Sequence, residues 1–114
     1  MKKSKSIIAL NRKAKFNYQI IEKIEVGVVL TGAEVKSIRK GGVSLDNSYA
    51  VDKKGEFWIN NLYVNLKSYE NSPENSDNMR SKKLLLNKNE IYKINMKVKQ
   101  NGLTMIPLDL HFNK

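Results

Sequence analysis

EVGVVLTGAEVKSIRKGG, residues 25–42, changes its hydrophobic period half-way along. It closes a run from Tyr18 to Leu30, YQIIEKIEVGVVL, that mixes alternation with β-branched residues and reads as strand. Gly27 interrupts the run and permits a bulge or sharp bend of the kind a small barrel needs to close. From Thr31 the period becomes helical. Thr31 and Glu34 have capping-box spacing, Val35 and Ile38 supply an apolar stripe, and Gly41 with Gly42 ends the helix. Lys36, Arg39 and Lys40 are left facing solvent or a ligand. The glycine pair is no phosphate loop, because no Gly-Lys-Ser/Thr follows and a helix precedes it.

Downstream, residues 43–66 read as short strands around Tyr49, Val51, Phe57–Ile59 and Leu62–Leu66, with a turn at Asp52–Gly55. Residues 67–78 hold Pro73 among Ser, Asn and Glu and predict a long mobile loop. A basic cluster, Arg80–Lys83, leads into Leu84–Leu86, which read as buried. Asn87 and Glu90 repeat the capping spacing, Ile91, Ile94 and Val98 make a helical face, and Gly102 stops it. The final run, LTMIPLDLHF at 103–112, is extended, and Pro107 places it at an edge or a bulge. Upstream, residues 1–6 form a flexible basic lead, and Asn11 is placed to cap a turn through Arg12, Lys13, Ala14 and Lys15, pinned by Phe16. Clustered strands with one helix inserted early and another late predict a mainly β protein, an inserted-helix barrel, in preference to βαβ units. At 114 residues it forms a single domain, 1–114.

The chain carries 21 Lys and Arg against 11 Asp and Glu, a formal net charge of +10. Ten of those cations against three Glu fall within Met1–Lys40, concentrating the field near the N-terminus. A polyanionic partner is the first implication, and compositional drift toward lysine the bland alternative. With no Cys there is no disulfide or thiolate metal site, and the lone His111 excludes the usual zinc clusters. Ile7–Leu10 is too short for a signal-peptide core, so neither export nor a membrane span is expected and the location is cytoplasmic. Catalysis needs a nucleophile or proton carrier with a partner, and none is evident: His111 alternates with Leu110 and Phe112 and is read as structural or ligand-contacting. Neither metal nor cofactor is implied.

Asn11 with Arg12 and Lys13 offers an amide beside two cations, suited to a base or phosphate, although a helix cap beside solvated charge fits equally. Glu25 repels phosphate but can accept from base amino groups or hold an arginine; a plain surface glutamate is the simpler reading. Tyr18, Tyr49, Trp58, Tyr63, Tyr69 and Phe112 could stack on unpaired bases, with Trp58, between Phe57 and Ile59, better suited to core or barrel-end packing.

Five ordered stretches, IALNRKAKFNY (8–18), EVGVVLTGAEVKSIRKG (25–41), SLDNSY (44–49), RSKKLLLNKNEI (80–91) and GLTMIPLDLHFN (102–113), resemble the SsrA-binding protein (SmpB) family over nearly the whole chain. The resemblance implies an oligonucleotide-binding-type antiparallel β-barrel with two to three accessory helices. It implies a noncatalytic adaptor that binds the tRNA-like end of transfer-messenger RNA and supports its delivery, with the elongation factor, to stalled ribosomes. Carried onto this sequence, Asn11 and Glu25 occupy positions implicated in RNA contact, and Arg12, Lys13, Lys36, Lys82 and Lys83 become the backbone-contacting cations. Two departures stand out. Asn47 replaces a usual Asp, an exchange expected to weaken a local hydrogen bond, and the family's further strand and basic tail beyond the HFN motif are absent from these 114 residues. A product shortened in this way keeps RNA binding, loses tagging and exposes an edge beside residues 103–112. A general single-stranded nucleic-acid-binding barrel is the alternative function, and a small nuclease the least supported.

Overall fold

The computed structural model describes residues 6–66 and 77–112. Most of the expected lead and nearly all of the expected 67–78 loop lie outside the described residues. In chain order the elements are β1 (Ser6–Leu10), α1 (Ala14–Asn17), β2 (Gly27–Val28), α2 (Gly32–Arg39), β3 (Val43–Ser44) and β4 (Tyr49–Lys53). There follow β5 (Glu56–Asn60), β6 (Tyr63–Val64), β7 (Lys82–Leu85), α3 (Lys88–Asn101) and β8 (Asp109–Phe112). The fold is mixed α/β with antiparallel sheets: a four-stranded sheet ordered β2-β7-β5-β4, and two ribbons, β1-β8 and β3-β6. The described ladders form three sheets, so the single closed ring expected from the strand pattern is not one continuous hydrogen-bonded circuit. Very short strands are the physical reason, since two-residue ladders at β2, β3 and β6 leave the chain free to turn between sheets.

Both capping boxes form as the sequence dictates. Glu34 N–H donates to Thr31 Oγ1 and Thr31 N–H to Glu34 Oε1 at the start of α2, and Asn87 and Glu90 make the same exchange at α3. Gly41, at φ 83°, turns the chain out of α2, while Gly42 lies so close to Ser37 that a Cβ there would sit 2.4 Å from its Oγ. The β4–β5 hairpin closes through Lys54 and Gly55, both at positive φ (56° and 82°), the twist-matched geometry for a two-residue turn. Asp52 Oδ1 accepts from the Gly55 N–H and holds that turn.

The core gathers Ile38 from α2, Phe57 and Ile59 from β5, Val64 from β6, Leu84 from β7, and Leu45, Leu62 and Leu66 from the connections. Alternation sends Trp58 to the other face of β5, half-buried opposite Val51 and Lys83, and not into the core. The same rule splits the leucine run: Leu84 is buried, Leu85 exposed and Leu86 half-buried. Between residues 18 and 30 only Gly27–Val28 pairs as strand, although Val26, Val28 and Leu30 keep the inward alternation and pack on the core. Ile21 and Ile24 are exposed, so the apolar pattern there is not matched by a buried face. Asn47 adopts φ 65°, a conformation Asn tolerates better than most residues. β1 was not expected as a strand; it pairs with β8 from Ser6↔Phe112 to Leu10↔Asp109.

Candidate nucleic-acid interface

The β1-β8 ribbon positions the N-terminal basic corner. Pro107 and Leu108 precede the β8 ladder, which begins at Asp109, so their carbonyls need donors from elsewhere. Asn11 takes both: its backbone N–H donates to Leu108 O at 2.8 Å and its Nδ2 to Pro107 O at 3.0 Å. The amide therefore works as a clamp across the ribbon. It does not cap a helix, for α1 begins at Ala14 with Lys13 at its N-cap and no side-chain bond there. Arg12 and Lys13, immediately beyond the clamp, are exposed.

Three residues further along β8, about 10 Å in an extended strand, His111 ties the same ribbon to the segment before β2. Its Nε2 lies 2.8 Å from Glu25 Oε2 and its Nδ1 2.7 Å from Asp109 Oδ1. The imidazole stands between the two carboxylates, its tautomer setting which of them receives an N–H. Glu25 is thus no ordinary surface glutamate but half of a bridge that fixes the 18–26 segment. Of the two roles expected for His111, structural or ligand-contacting, these contacts supply the structural one.

Lys36 is exposed on α2. One turn on, the Arg39 guanidinium stands 5.5 Å from the Phe112 ring, a cation–π contact that joins α2 to the end of β8. The Asn11–Lys13 corner lies at one end of this ribbon, Glu25 is tied to it through His111, and Arg39 of α2 meets its other end at Phe112.

Lys82 and Lys83 belong to a different sheet and divide in role. Lys82 must be withdrawn from the surface cations: it is 0% exposed, because alternation along β7 points it inward. Its Nζ donates to Leu62 O and Arg80 O and lies 3.7 Å from Glu34 Oε2. Burial pushes its pKa down against the pull of Glu34. Lys83 is half-exposed and paired with Glu56 at 2.6 Å, so part of its charge is already answered.

Glu34 organises this second cluster. Arg80 grips it with two bonds, Nε to Oε2 at 3.0 Å and Nη2 to Oε1 at 2.6 Å, while the Thr31 amide donates to Oε1 at 2.8 Å. Burial alone would raise the carboxyl; the Arg80 hydrogen bonds, the Thr31 amide and the charges of Lys82 and Arg80 bring it below its ordinary range. The sequence marks Glu34 only as a capping residue. Its burial against Arg80, 46 positions away, leaves no local signal.

Among the described residues no group of His, Asp and Glu could hold a metal ion, and no helix is long and apolar enough to cross a membrane.

A family model described as SmpB protein matches residues 8–114. The chain belongs to the SmpB family. With that membership comes a noncatalytic RNA-binding adaptor role in trans-translation. Similar proteins include the SsrA-binding protein of Rhizobium meliloti (strain 1021), 43% identical over 111 residues, covering 96% of this chain and 69% of that protein. The SsrA-binding protein of Treponema denticola is 46% identical over 106 residues, covering 93% of this chain and 68% of its own length. Among solved structures, a chain from "tmRNA-SmpB: a journey to the center of the bacterial ribosome" superposes with TM-score 0.71 at 42% identity, covering 92% of this chain and 73% of that one. At that identity the likeness extends the family assignment to the SmpB fold.

Proposed function

We propose that this chain binds the tRNA-like end of transfer-messenger RNA in the cytoplasm and supports its delivery to stalled ribosomes, meeting the elongation factor through the RNA. Residues 1–114 serve as one RNA-binding domain, the three sheets forming the walls of an oligonucleotide-binding-type barrel. Arg12, Lys13 and Lys36 neutralise phosphates, with Lys83 a weaker contributor because Glu56 competes for it. Asn11 and Glu25 sit where the family's RNA-contacting positions fall. The observation that carries the reading is the β1-β8 ribbon, which holds Asn11 and Glu25 through side-chain hydrogen bonds and leaves Arg12 and Lys13 exposed next to Asn11.

The test is competition between a folded tRNA-like RNA and an unstructured oligonucleotide of equal length for the same labelled site. A strong preference for the folded RNA supports the adaptor. Equal affinity would instead make this a general single-stranded nucleic-acid binder.

A further inference from the structure

Between the β1–α1 corner and β3 lies an open cleft of about 300 Å³, at the lower end of the range for small-ligand sites. Arg12 and Lys13 approach it from the corner, Ser44 and Asp46 from β3 and the turn that follows, and Leu10 with Val43 supplies apolar surface. The acidic side is held in place. Asp46 N–H donates to Ser44 Oγ at 3.3 Å, Ser48 N–H donates to Leu45 O at 3.1 Å, and Asn47 at φ 65° completes the turn. Among the described residues, neither cation closes on Asp46 as an ion pair, although all three line the same space.

Such a cleft wants a ligand with a dual character. A bare anion answers Arg12 and Lys13 but leaves the Asp46 carboxylate without a donor, and a cation is opposed by the two basic side chains. A nucleotide answers both, with a phosphate for the cations, a flat ring for the apolar surface and edge donors for the carboxylate. The base identity follows from the acceptor. An ionised carboxylate only accepts, and guanine alone places two donors, N1–H and the N2 amino group, side by side. Adenine and cytosine set an acceptor ring nitrogen next to their amino group, and uracil flanks its one N–H with carbonyls, so each turns a lone pair toward Asp46.

We propose that this cleft receives one unstacked guanine of the bound RNA, Asp46 accepting from its Watson–Crick donors and Arg12 and Lys13 meeting the adjoining phosphates. The inference rests on the adaptor reading for its biological ligand, but the chemistry of the cleft is testable without the large RNA.

Amide-resolved NMR titration of the full chain with guanosine, adenosine, cytidine and uridine 5′-monophosphates reads the site directly. The expected result is shifts confined to Arg12, Lys13 and residues 43–48, with the guanine nucleotide preferred by about fivefold or more, the worth of one additional hydrogen bond. Asp46→Asn should abolish that preference while leaving the rest of the spectrum in place, since Asp46 is exposed and its backbone bonds survive the exchange. The same variant should bind the folded tRNA-like RNA about tenfold or more weakly, as for loss of a charge-assisted hydrogen bond. No shifts at the cleft, equal shifts from all four nucleotides, or unchanged RNA affinity in Asp46→Asn would overturn the proposal. Wild-type protein that still prefers the folded RNA would leave the adaptor reading standing in those cases. Failure of wild-type protein to bind that RNA, with the guanine preference intact, would sink the adaptor reading alone.

Discussion

Glu34→Gln should destabilise the protein far more than its single-atom change implies. The carboxylate is 1% exposed and lies 3.7 Å from Lys82 Nζ, which is itself 0% exposed. Glutamine keeps an oxygen for the Thr31 amide, so the helix cap, worth about 1 kcal/mol, largely survives. Arg80, 39% exposed, turns to water. Lys82 cannot, and retains only the carbonyls of Leu62 and Arg80. Breaking a buried pair in this way costs about 3–5 kcal/mol, against a total of roughly 6–17 kcal/mol for a chain of this length. The melting temperature should fall by about 10 °C or more. Urea and thermal denaturation followed by circular dichroism check both figures. Lys82→Met supplies the internal control, because an apolar side chain of similar volume needs no counter-charge. It should rescue Glu34→Gln by most of the loss, a coupling that a double-mutant cycle reads. A loss below about 1 kcal/mol, or no rescue by Lys82→Met, would refute the reasoning.

The lowered Glu34 pKa gives a stabilisation fully present above the ordinary 4.5 and lost as pH falls through the folded value; Glu34→Gln should flatten that acid limb in urea titrations from neutral pH down to about 3. His111→Leu removes the imidazole that stands between Asp109 and Glu25, and should cost about 1–3 kcal/mol in urea unfolding while weakening RNA binding measured by fluorescence anisotropy. Gly42→Ala would place a Cβ 2.4 Å from Ser37 Oγ and 3.2 Å from Ser37 O, so it should destabilise by about 1–3 kcal/mol in thermal melts.

The features legible in the sequence are those written by local chemistry. Thr31 with Glu34 and Asn87 with Glu90 announce their helices because a capping box is complete within four residues, and Gly41 and Gly102 end them by adopting positive φ. The 52–55 turn is equally local. β1 was hidden because Ile7–Leu10 is short and acquires its meaning only from β8, about a hundred residues away. Asn11 illustrates the same limit. Its type fits a helix cap, but the Pro107 carbonyl, on a distant segment just outside the β8 ladder, claims its side-chain amide. Lys82 and Lys83 are indistinguishable by composition, and only the period-two pleat of β7 sends one inside and leaves the other half-exposed. The family resemblance supplied Glu25 as a site position, while the bridge through His111 to Asp109 becomes visible only once β8 is placed beside the 18–26 segment.

The salt dependence of folded-RNA affinity tests the cationic corner most directly, read for the wild type, for Arg12→Ala with Lys13→Ala, and for Lys82→Met. With Arg12, Lys13, Lys36 and Lys83 as the contacts, the wild-type logarithmic slope should be about −3 to −4, the double variant should lose about 1.4–1.8 of it, and Lys82→Met should lose nothing. A slope that stays the same without Arg12 and Lys13, in a protein that remains folded, would contradict the account.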